Sequence, residues 1–113
     1  MPYIAINTTL ELSDSRKEKI KAELGRLITI IPTKTEAGLL VDFSGSRTIY
    51  KAGENVSGIF IDLRLFHKSD HEPKKKFTEE TFEMLARELG VKKEDMYLTI
   101  MEFENWGAGG TLH

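Results

Sequence analysis

The apolar residues of this chain change period twice in the same order, and that repetition limits the fold more than any other feature. Residues 3–8 set Tyr3, Ala5 and Asn7 against Ile4, Ile6 and Thr8, the two-residue alternation of a strand with one buried face. Ile20, Leu24, Leu27, Ile28 and Ile31 then recur at intervals of four, three, one and three, a single helical stripe. Ser13 and Ser15 are candidate N-caps, Ser15 and Glu18 have capping-box spacing, and Pro32 ends the helix. Leu39 to Phe43 reads as a second strand, bounded by Gly38 and by Ser44-Gly45-Ser46.

The pattern restarts at Gly58. Ile59, Ile61, Leu63 and Leu65 alternate with Phe60, Asp62, Arg64 and Phe66 along a strong strand. A second helix is expected from a Thr78 cap, with Phe77 before it, Phe82, Leu85 and Leu89 on one face, and Gly90 as its exit. Met96 to Phe103 is the last strand. Between these elements, residues 45–58 are polar with Ile49-Tyr50 a short strand or 3-10 turn, residues 67–76 read as a charged loop, and residues 104–113 as a glycine-rich tail holding the only tryptophan.

One domain of 113 residues therefore repeats strand, helix, strand over about 1–50 and 57–113. Connections of this length allow parallel crossovers, so the expected fold is α+β: a four-stranded mixed sheet with both helices on one face. The other face would carry Phe60, Phe66 and Phe43 or its neighbours. That is too apolar for open water, so oligomerisation through this face and its edges is expected.

With 16 Lys and Arg against 18 Asp and Glu, a net charge of −2 gives no field that would favour nucleic acid or an anionic membrane. Zero cysteines exclude disulfides and thiolate metal sites, and no apolar run approaches the length of a membrane span. A cytoplasmic protein is expected. His67, Asp70, His71 and Glu72 can ligate metals, but in one polar loop without helical spacing they read as solvated. Lys74-Lys75-Lys76 and Lys92-Lys93 likewise read as solvated surface.

The chemistry concentrates at the start of the chain. Pro2 follows the initiator methionine, and removal of Met1 would leave a secondary amine at the first position of a strand, where a missing N–H costs no ladder bond. Desolvated among apolar neighbours, that amine would lose proton affinity and could act as a general base near neutral pH, whereas many chains begin Met-Pro and use the proline for nothing.

These residues together resemble the tautomerase superfamily, and within it the branch of macrophage migration inhibitory factor and D-dopachrome tautomerase. The resemblance rests on Met1-Pro2, Asn7-Thr8 at the end of the first strand, Lys34 after the first helix, the Gly58–Phe66 strand, Met96-Tyr97-Leu98-Thr99 after the second helix, and the ending Glu104-Asn105-Trp106-Gly107. It implies a homotrimer whose three sheets form a barrel wrapped by six helices, with active sites at subunit interfaces. It also implies a cofactor-free, metal-free reaction moving a proton between carbon and oxygen of a small, phenylpyruvate-like keto or enol acid, with Pro2 as the base.

Under that resemblance Lys34 is the cation near the pocket, Phe66 an apolar wall, and Tyr97 a hydroxyl supplied by the neighbouring subunit. Arg64 is added because its planar fork suits a carboxylate, with an ion pair to Asp62 as the alternative. Trp106 either closes the pocket or packs at a subunit contact. Thr99 stands where the branch has asparagine, and there is no Cys-X-X-Cys pair. Three rivals accompany this reading. One is a hydratase or dehalogenase in which a charged Pro2 protonates, another a non-catalytic binding trimer, and the third a dimeric ferredoxin-like domain with the same element order.

Overall fold

The computed structural model describes residues 1–113. In chain order the elements are β1 (Pro2–Thr8), α1 (Asp14–Leu27), β2 (Leu40–Ser44), β3 (Ile49–Lys51), β4 (Glu54–Val56), β5 (Ile59–Phe66), α2 (His71–Leu89), β6 (Met96–Phe103), β7 (Gly107–Ala108) and β8 (Thr111–Leu112). Four strands form the main sheet in the order β2-β1-β5-β6. The outer pairs, β1 with β2 and β5 with β6, are parallel, and each is joined through a helix; the central pair, β1 with β5, is antiparallel. Two strand-helix-strand halves are thus zipped together at their first strands.

Strand alternation decides the core. Ile4 and Ile6 of β1 and Ile59, Ile61, Leu63 and Leu65 of β5 are fully or almost fully buried in one cluster with Ile20, Leu24, Leu27, Ile28 and Ile31 from the first helix region and Phe77, Met84 and Leu85 from α2. Each such side chain contributes about 1.5–3 kcal/mol when removed from water. The strand and helix periods therefore converge on a single layer between the sheet and both helices. β2 pairs Phe43 with Ile6, and that register turns Phe43 to the helix side with Val41. Leu40, Asp42 and Ser44 stand on the open face instead, correcting the expected place of Phe43.

The helix starts also differ from expectation. Ser13, not Ser15, caps α1, its hydroxyl accepting from the Arg16 backbone N–H at 3.2 Å. Helix α2 begins at His71 after an Asp70 N-cap, eight residues before the expected Thr78 cap. Pro73 fits in this first turn because the N–H it lacks would have had no helical partner, and Glu72 complements the helix dipole. Thr78 lies inside the helix, where its hydroxyl donates to the Lys74 carbonyl at 2.9 Å. Much of the expected charged loop is helix. Lys74 is drawn from the solvated surface into a 2.9 Å pair with Glu102 of β6.

Two hairpins complete the chain. β3 and β4 pair around Ala52 and Gly53, both at positive φ (53° and 80°), the signature of a two-residue type I′ turn. The expected tail forms the other: β7 and β8 pair around Gly109 and Gly110, with φ of 61° and 84°. No helix is long and apolar enough to cross a membrane.

Candidate active site

Pro2 opens β1 opposite Leu65 of β5 and is buried. Gly38 faces it: a Cβ there would lie 3.9 Å from the Pro2 Cδ and 4.0 Å from the Met1 Cα, so the backbone closes over the N-terminus at contact distance. Lys34 reaches the same corner because Thr33 takes a left-handed φ of 71° and the Lys34 N–H returns to the Ile31 carbonyl at 3.1 Å. Only 8% of Lys34 is exposed, and its ammonium donates to the Phe66 carbonyl at 2.8 Å. A buried charge needs such a partner. Burial, and secondarily the Lys34 cation, push the N-terminal ammonium of Met1 below its ordinary value.

Phe66 closes this corner on a second side. Its ring packs on His67 at 3.7 Å between centroids and on Trp106 at 6.3 Å, and Trp106 in turn meets Phe103 edge-on at 6.2 Å. The terminal hairpin holds Trp106 there, through mutual backbone hydrogen bonds with His113 at 3.2 and 2.9 Å. Trp106 is thus fixed by its own chain, on Phe66. A cleft of about 210 Å³ opens beside these groups, lined by Pro32, Thr33, Lys34 and Phe66 to Asp70.

Three expected site residues lie on the open face of the sheet. Tyr97 is paired with Phe60, five residues along β5 from the partner of Pro2, a distance of about 17 Å at the usual strand rise. There it stacks on Phe60 at 6.5 Å, lies under the Lys51 ammonium at 5.5 Å, and lines a second cleft of about 280 Å³ with Tyr50 and Val56. Thr99 is opposite Asp62 on the open face. Arg64 shares that face, bonded to Asp62 at 3.2 Å and set 5.6 Å over the Tyr3 ring, while the Tyr3 hydroxyl donates to Asp42 at 2.7 Å. One chain therefore assembles Pro2, Lys34, Phe66 and Trp106 and leaves Tyr97 and Thr99 apart from them, while Arg64, opposite Tyr3, stands next to this corner in a pair with Asp62.

Sequence reasoning missed Gly38, His67 and Lys68 as parts of this corner. The signal for Gly38 was weak, a glycine before a strand. His67 gave none, because its φ of 70° is a tertiary outcome. No three His, Asp or Glu side chains converge in a way that could hold a metal. The corner brings together the Met1 amine, its basicity lowered by burial and by Lys34, the buried Lys34 cation and the Phe66 ring.

No protein-family model matches the chain, and no curated protein matches it. Solved structures do. The crystal structure of MIF2 from Leishmania major superimposes with a TM-score of 0.93 at 18% identity, over 100% of this chain and 97% of that one. The chain has the macrophage migration inhibitory factor fold. A MIF-like protein from Entamoeba histolytica gives a TM-score of 0.86 at 17% identity, covering 99% of this chain and 98% of its own. Pt0534, in a structure inactivated by 2-oxo-3-pentynoate, gives 0.84 at 15% identity over 96% of this chain and 93% of that one. The sheet excludes the ferredoxin-like alternative, because β1 pairs directly and in parallel with β2, and β5 with β6, whereas a ferredoxin-like sheet is antiparallel throughout with its strand-helix-strand units split.

Proposed function

We propose that this chain is a cofactor-free keto–enol tautomerase of small α-keto acids, with Pro2 as the base once Met1 is removed. The observation that carries this reading is the N-terminal corner, where burial and Lys34 both disfavour a protonated amine. The same two influences act on the Pro2 nitrogen, one residue further in. Neutral at physiological pH, that amine takes the proton from the carbon next to the keto group. The electron pair of the broken C–H bond forms the C=C bond, and the carbonyl oxygen becomes an enolate that is then protonated. The reverse order ketonises an enol.

Lys34 has two N–H donors beyond the one given to Phe66, enough for the substrate carboxylate. Phe66 and Trp106 wall the reacting carbons from water. Tyr97, about 17 Å away within one chain, acts on the enolate oxygen of a neighbouring subunit's site. Thr99, on the same strand face, joins that contribution. This requires a homotrimer closed through the open sheet face. Arg64, paired with Asp62, serves the substrate carboxylate only if that pair opens on assembly.

The test is chemical. An ynone acid such as 2-oxo-3-pentynoate adds a nucleophilic amine across its triple bond with no leaving group, and a fold relative is inactivated by this compound. Protein shown by intact mass to lack Met1 is expected to gain the reagent's whole mass on its N-terminal peptide and to ketonise phenylenolpyruvate. Met1-free protein that gains no adduct and has no ketonase activity would sink the reading.

A further inference from the structure

We infer that Lys51 is a positioning residue for Tyr97, through which the β3–β4 hairpin sets the aim of the hydroxyl that one subunit lends to its neighbour's site. This rests on the tautomerase reading and gives the hairpin, which pairs with no strand of the main sheet, a part in that reaction. Tyr97 needs such a device. It is the second residue of β6, an edge strand within one chain, and stands on the uncovered face at 46% exposure. A change of χ1 well would carry its hydroxyl several ångströms away, and a hydrogen bond to an enolate oxygen is lost with a much smaller shift.

Two groups hold the ring. Phe60, its cross-strand partner, stacks on it with the planes 18° apart, and the Lys51 ammonium lies 5.5 Å from its centroid. Lys51 is itself fixed at both ends. Its backbone closes the hairpin, paired with Glu54 across the tight Ala52-Gly53 turn. Its ammonium donates to the Asp95 carboxylate at 3.3 Å and to the Glu94 carbonyl, both in the 3-10 turn that leads directly into Tyr97's strand. Hairpin, turn and Tyr97 are thereby tied to one cation.

The chemistry of the pair sets the direction of the hydroxyl's own proton. The Lys51 ammonium is held above the ordinary lysine value first by the Tyr97 hydroxyl and then by Asp95, against desolvation, so the cation engages the hydroxyl as well as the ring. An ammonium can only donate, so the Tyr97 oxygen accepts from it and keeps its proton for an acceptor outside the chain. Donation into that oxygen also polarises the O–H and strengthens the bond it makes onward. The Lys51–Asp95 pair, with side chains 38% and 21% exposed, adds little to stability by itself, which leaves this orienting contact as its main consequence.

Met1-free protein, confirmed by intact mass, would be assayed for phenylenolpyruvate ketonisation as wild type, Lys51→Met, Lys51→Arg, Tyr97→Phe and the Lys51→Met, Tyr97→Phe double variant. Lys51→Met keeps the stem and removes the donors. It is expected to lower kcat about tenfold, the size of one charge-assisted hydrogen bond, with KM little changed because the hydroxyl acts on charge that develops during the reaction. Lys51→Arg should restore most of the rate. In the Tyr97→Phe background the same lysine change should have no further effect, and sedimentation and thermal midpoint of Lys51→Met should match wild type. Losses that multiply in the double variant, full activity in Lys51→Met or in Tyr97→Phe, or a Lys51→Met protein that no longer assembles as wild type does, would each overturn the Lys51 assignment and leave the tautomerase standing. Wild type without ketonase activity would overturn both.

Discussion

Lys34 is the residue whose placement demands most of the fold, since a lysine left 8% exposed must keep its charge satisfied. The Phe66 carbonyl does this, and the same contact points the cation at the N-terminus. Lys34→Met keeps the stem and removes the charge. With that cation gone the amine regains proton affinity, although burial, the larger influence, still lowers it. The base must be neutral to work, so activity is lost as pH falls through its pKa. The acid limb of kcat/KM is expected to move to higher pH in Lys34→Met. A limb that does not move would remove Lys34 from the mechanism. Pro2→Ala is expected to lower kcat by about a hundredfold, the low end for a positioned base, with an unchanged circular dichroism spectrum. Equal activity in that variant would exclude Pro2.

Among the elements, the junction of β6 with the start of α2 is the most informative, because one carboxylate ties them together. Burial alone would raise the Glu102 pKa, yet the Ser69 N–H and the Lys74 ammonium outweigh it and leave the group below its ordinary value. A carboxyl depressed on folding stabilises fully above its unfolded pKa, and that contribution disappears as pH falls through the folded one. Glu102→Gln should therefore destabilise at neutral pH by about 1–2 kcal/mol and flatten the loss of stability below about pH 4.5, read by urea melts across pH. Glycines provide a second check. A Cβ on Gly45 would sit 2.8 Å from the Leu10 carbonyl oxygen, a backbone atom, so Gly45→Ala should cost about 1–3 kcal/mol. A Cβ on Gly25 meets only the Glu36 side chain, which can swing away, and Gly25→Ala should be neutral or slightly stabilising because alanine is the better helix former.

At the scale of the whole molecule, the sheet has one face packed on helices and one without cover. Phe60, Tyr97, Met101 and Phe103 stand on the uncovered face at 36–46% exposure on the neighbouring strands β5 and β6. Exposed apolar side chains gathered on one uncovered sheet face, with Asp62, Thr99 and Arg64 among them, mark an interface. Wild type is expected to sediment as a trimer, and Phe60→Glu, which introduces a charge there, to shift it toward monomer and to reduce activity with it. Monomeric wild-type protein with full turnover would contradict both the assembly and the assignment of Tyr97 to a neighbour's site.

The sequence by itself determined the order of the four sheet strands and two helices and nearly the whole core. Hydrophobic period is a local property, and Ile4, Ile6, Ile59, Ile61, Leu63, Leu65 and the α1 stripe declare their buried faces without reference to partners. Tertiary structure decided what depends on register and distant neighbours. Phe43 faces the helices because it pairs with Ile6, and α2 starts at His71, with a proline in its first turn and Glu102 of β6 holding Ser69 and Lys74. Trp106 meets Phe66 because two glycines fold the tail, and His67 turns Lys68 into the cleft through a bond to Phe103, 36 residues away. Each of these is fixed by a contact between residues remote in the chain, where no local pattern carries the information.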